Sequence, residues 1–101
     1  MVIKFAPGEP DDVLGKIYDV LGERPLSKIM SFELLDDQTQ FNVTFSKVGT
    51  SRLVFSCDRS DKRILLELVK EKVALSHRPF YADVKKKMVN VLSKAGGEVT
   101  F

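Results

Sequence analysis

Residues 60–75, Ser60-Asp61-Lys62-Arg63-Ile64-Leu65-Leu66-Glu67-Leu68-Val69-Lys70-Glu71-Lys72-Val73-Ala74-Leu75, can be laid out in two ways, and the choice sets the number of strands. As a helix, Ile64, Leu65, Leu68, Val69, Lys72 and Val73 follow an i, i+1, i+4, i+5 rhythm, and Ser60 stands where an N-cap belongs. As a strand, Leu65, Val69 and Val73 share a face with Glu67 and Glu71, a poorer pattern. A strand hairpin through Asp58-Arg59-Ser60-Asp61 is the extended alternative. The helix fits better and is the expectation.

Upstream, the pattern favours strands. Ile29, Ser31, Glu33 and Leu35 alternate with Met30, Phe32 and Leu34, and Asp36-Asp37-Gln38-Thr39 offers turn chemistry. Phe41, Val43 and Phe45 then face one way while Asn42, Thr44 and Ser46 face the other. Gly49-Thr50 turns the chain into Leu53-Val54-Phe55, completing a three-stranded antiparallel meander. Further toward the N-terminus, Val2, Ile3 and Phe5 make a short strand ended by Pro7-Gly8. A helix follows: Pro10 suits its first turn, Asp11 and Asp12 its positive end, and Val13, Leu14, Ile17, Tyr18 and Leu21 recur at helical spacing. Gly22 is its C-cap and Pro25 blocks continuation.

Downstream, Ser76-His77-Arg78-Pro79 interrupts and a second helix begins near Pro79, with Tyr81, Val84, Met88, Val91, Leu92 and Ala95 along one stripe. Gly96-Gly97 stops it, and Glu98-Val99-Thr100-Phe101 returns as an edge strand. The element order is β-α-β-β-β-α-α-β, or β-α-β-β-β-β-α-β if 60–75 is extended. Both orders give an α+β fold, a two-layer sandwich with a mainly antiparallel sheet and helices on one face. No repeat or linker divides the 101 residues, so residues 1–101 read as a single domain.

Composition narrows the function classes. Apolar residues are 44% and charged residues 30% of the chain, which excludes a disordered or membranous sequence. No run approaches the roughly 20 apolar residues of a membrane helix. Cys57 is the single cysteine, which excludes an internal disulfide and favours a reducing, cytoplasmic setting. The net charge of +2 conceals an asymmetry: residues 1–50 carry five basic against eight acidic side chains, and residues 51–101 eleven against six. The basic half can meet an anionic partner, and the opposite-sign halves can attract each other within one fold or in a dimer.

Catalytic and cofactor chemistry finds little to work with. One Cys and one His, twenty residues apart, do not make a zinc site, and the stretch around Asp58 lacks the glycine and terminal glutamate of a calcium loop. Asp58 beside Cys57 opposes thiolate formation, so Cys57 reads as a small half-buried hydrophobe. His77 reads as a solvated residue at a helix start. Gly8, Gly15, Gly22 and Gly49 fit neither a dinucleotide fingerprint nor a P-loop, and Asp11-Asp12 and Asp36-Asp37 read as helix-start and turn residues. No catalytic residue, metal or cofactor is expected.

The remaining lead is basic. Lys85, Lys86 and Lys87 lie opposite the apolar stripe of the last helix, with Arg78 at its start and Lys94 near its end, and Lys62, Arg63, Lys70 and Lys72 add charge on the preceding segment. Lys62, Arg63, Arg78, Lys85, Lys86, Lys87 and Lys94 are the candidate anion contacts. Lysines on the outer face of an amphipathic helix ordinarily just solvate it, and no exposed aromatic series for base stacking is evident. The expectation is a non-enzymatic protein-interaction module, monomeric or a homodimer, using the outer face or an edge of its sheet. A nucleic-acid-binding domain using the basic residues of 62–94 is the alternative.

Overall fold

In the computed structural model, which describes residues 1–22 and 25–101 and only the backbone of Pro25 and Leu26, two helices lie across one antiparallel sheet. The strands are β1 (Val2–Phe5), β2 (Met30–Leu35), β3 (Gln40–Ser46), β4 (Thr50–Arg59), β5 (Ile64–Lys72) and β6 (Glu98–Thr100), in the spatial order β2-β3-β4-β5-β1-β6. The helices are α1 (Pro10–Leu21) and α2 (Tyr81–Lys94), with short 3-10 turns at Pro25–Lys28 and Leu75–Phe80. This is the expected α+β sandwich, in its six-stranded form.

Residues 64–72 are therefore a strand, not the favoured helix. The helical rhythm there comes from a β-bulge. Ile64, Leu66 and Leu68 alternate toward the helices, opposite Arg59, Cys57 and Phe55 of β4. Val54 then pairs with Lys70, so Val69 is the extra residue on β5 and the alternation resets behind it. An inserted residue spoils period 2 and, over so short a run, imitates a helix. Ser60 does not cap a helix either: its Oγ accepts the N–H groups of Lys62 and Arg63 and closes the β4–β5 turn.

The helices form as their sequences dictate. Pro10 occupies the first turn of α1, Val13, Ile17 and Leu21 are buried at intervals of four, and Gly22 ends it at φ +51° with its N–H on the Tyr18 carbonyl. Helix α2 starts at Tyr81, two residues after Pro79, and buries Val84, Met88, Val91 and Leu92. Gly97 then passes so close to Ile3, Phe5 and the Leu92 carbonyl that an added Cβ would lie 2.9–3.0 Å from each. The core is the layer between, where Phe32, Phe41, Phe45 and Phe55 of the meander meet α1 and α2. Among the described residues, no helix is long and apolar enough to cross a membrane.

Candidate functional site

All of the buried phenylalanines point toward the helices, so the opposite face of the sheet carries the polar half of each strand. The register arranges that open face in rows. Ser31, Thr44, Arg52 and Lys72 form one row across β2-β3-β4-β5, Glu33, Asn42, Val54 and Lys70 the next, and Leu35, Gln40, Ser56 and Glu67 a third. Among the described residues, no helix covers these rows.

At their centre Gln40, Asn42, Arg52, Val54, Lys70 and Lys72 line an indentation of about 200 Å³. Asn42 is its most enclosed polar group, only 3% exposed, and its Oδ1 accepts a hydrogen bond from Gln40 Nε2 at 3.0 Å. The bulge at Val69 is what brings Lys70 and Lys72 here: without the inserted residue, the alternation that buries Ile64, Leu66 and Leu68 would turn both lysines toward the helices. Arg52 is placed directly opposite Lys72, a like-charge pair that costs rather than supplies stability. Among the described residues, none of Arg52, Lys70 and Lys72 makes an ion pair, and Glu33 and Glu67 share the face without lining the indentation. Three cations thus converge with no counter-charge inside the site.

The chain matches no family model, no curated protein and no solved structure. What the face does must be read from its chemistry.

The basic residues singled out from the sequence are spread over the molecule. Lys62 and Arg63 lie in the β4–β5 turn, at the end of the sheet where α1 begins and α2 finishes. Arg78 lies in the 3-10 turn at the opposite end. Lys85 is tied down: its Nζ lies 3.0 Å from Glu71 Oε1 and 5.3 Å from the centre of the Tyr81 ring. Lys86 and Lys87 are exposed and share a shallow groove on α2 with Asp83, Asn90 and Ser93. Lys94 ends the helix, where a cation suits the macrodipole. Lys62 and Arg63 are neighbours in their turn and Lys86 and Lys87 in their groove, but the two pairs and Arg78 lie on different elements.

The two groups with nucleophilic or acid–base chemistry lie inside the protein. His77 is fully buried, contrary to the solvated position expected for it. Its Nε2 lies 2.6 Å from the Lys47 carbonyl, which can only accept, so Nε2 carries the proton. Nδ1 then accepts from Ser51 Oγ at 2.5 Å, and Ser51 Oγ in turn accepts the Ala74 N–H at 2.9 Å. Ser76 Oγ donates to the Val48 carbonyl at 2.5 Å. Gly49, at φ +126°, leaves room for this contact, since a Cβ there would lie 2.8 Å from Ser76 Oγ. These bonds clamp the β3–β4 turn to the 74–77 segment. The Ser51–His77 pair has the atoms of a nucleophile and its base, but both side chains are sealed from solvent and every polar atom is already committed. Cys57 is buried on the core face of β4, and that burial, aided by Asp58, raises its thiol above the usual range.

Sequence reasoning passed over Gln40, Asn42 and Arg52. Their signal was the polar alternation of the meander, which marks a wet face without showing which wet residues converge.

Proposed function

We propose that the chain is a non-enzymatic protein-interaction module that receives an acidic partner on the open face of its sheet. The observation that carries this reading is the cluster of Arg52, Lys70 and Lys72 around Gln40 and Asn42, with no counter-charge in its lining. Positive potential over a bare polar face steers a negatively charged partner and selects against basic ones. The enclosure of Ser51, His77 and Cys57 supports the non-enzymatic half of the proposal, because a nucleophile must be reachable to act. Among the described residues, the face also lacks the exposed aromatic rings on which single-stranded RNA stacks. The alternative, nucleic acid held by the basic residues of 62–94, draws support from exposed Lys86 and Lys87 and is weakened by the scatter of that set over the β4–β5 turn, the 3-10 turn and α2.

Fluorescence anisotropy with a labelled hexaglutamate peptide and a labelled ten-nucleotide thymidine strand separates the two. Hexaglutamate is expected to bind at low salt and to weaken as salt screens the site. The R52Q/K70Q/K72Q variant is expected to lose binding at least tenfold, and K86Q/K87Q to retain it. Tighter binding of the thymidine strand, lost in K86Q/K87Q and kept in the sheet-face variant, would overturn the proposal in favour of the alternative.

A further inference from the structure

We infer that the indentation lined by Gln40, Asn42, Arg52, Lys70 and Lys72 is a subsite for a phosphoryl group with two negative charges, either free phosphate or the phosphate of a monoester. The inference rests on the reading of the open face as a contact surface and adds the chemistry of what enters it.

The donors fit a small tetrahedral oxyanion. Arg52 offers a planar fork that binds two phosphate oxygens at once, and Lys70 and Lys72 offer point charges from the neighbouring strand. Asn42 supplies the neutral donor. Its Oδ1 is held by Gln40 Nε2, so the amide meets an anion through its N–H groups. Beside it the Arg52–Lys72 like-charge pair has no counter-charge in the lining. A dianion relieves that repulsion.

Size and charge select among anions. About 200 Å³ lies below the range of pockets that enclose drug-sized ligands, so a nucleoside does not fit inside with its phosphate. Three cations around one point match two negative charges better than the single charge of a carboxylate or a phosphodiester. The five donor residues, drawn from three adjacent strands, form one cluster and not a track along which a strand of phosphodiesters could run.

The test is a titration of the 15N-labelled full chain with inorganic phosphate, O-phosphoserine and acetate at matched ionic strength, followed by amide and side-chain N–H shifts. Phosphate is expected to shift the Asn42 side-chain amide and the backbone amides of Arg52, Val54 and Lys70 along one saturating curve. R52Q and N42A are expected to weaken that curve at least fivefold, and K86Q/K87Q to leave it unchanged. Saturation by phosphate and phosphoserine alike assigns the site to monoesters, and saturation by phosphate alone assigns it to the free ion; either supports the inference. Equal saturation by acetate, or linear shifts spread over all the lysines, would overturn it. If hexaglutamate binds the face while phosphate never saturates, this inference fails alone; if neither binds, the function proposed above fails with it.

Discussion

The Tyr18 hydroxyl donates to the Phe32 carbonyl at 2.7 Å and accepts the Phe32 N–H at 3.1 Å, so one side chain of α1 occupies both backbone groups of a residue on the edge strand β2. The two rings also meet edge to face, 6.4 Å between centres. An edge strand invites another chain to pair with it, and filling its backbone sites from within blocks that pairing. This favours the open face over the β2 edge as the partner surface proposed above.

Tyr18→Phe removes both bonds and keeps the ring. Two such bonds at a half-exposed position contribute about 1–2 kcal/mol together, because water replaces part of what is lost. Urea denaturation should show that loss, and sedimentation velocity should show concentration-dependent self-association absent from the parent chain. An unchanged midpoint would mean that water serves Phe32 equally well.

Ser51→Ala leaves His77 Nδ1 and the Ala74 N–H without their buried partner. The expected cost is about 1–3 kcal/mol, the penalty for stranding buried polar groups. In the parent chain, the 15N shifts of His77 should report the tautomer with the proton on Nε2. The opposite tautomer would contradict the donation to Lys47.

Tyr81 governs the alkaline side. Its half-buried phenol lies beside the Glu71 carboxylate, and burial first and that charge second raise it above the ordinary tyrosine range. A group that loses its proton later in the folded state than in the unfolded state makes stability fall as pH rises past its unfolded value, about 10 for tyrosine. The urea midpoint should therefore drop between roughly pH 9 and 11, and drop less in Tyr81→Phe. Equal drops in the two chains would remove Tyr81 as a cause.

Local signals made much of this fold readable. Val13, Ile17 and Leu21 repeat at helical spacing between Pro10 and Gly22, and the turn residues Asp36-Asp37-Gln38 do take left-handed φ values, +52°, +55° and +68°. What escaped was nonlocal. The strand at 64–72 hides its alternation behind the bulge at Val69, whose existence depends on pairing with Val54 and Phe55 of β4. His77 looks like a junction residue until Ser51 and Lys47, 26 and 30 positions away, close around it. The candidate site escaped for the same reason. Lys70 and Lys72 are visible as charges, but only the register sets Arg52 opposite Lys72 and brings Asn42 between them and Glu33.

Where an acidic ligand lands is the most direct measure of the function proposed here. Titrating hexaglutamate into the 15N-labelled chain at low salt should shift the amides of Asn42, Thr44, Arg52, Val54, Lys70 and Lys72, leaving α2 unmoved. Shifts confined to Lys86, Lys87 and Asn90 on α2, or no shifts at millimolar peptide, would contradict the open sheet face as the contact surface.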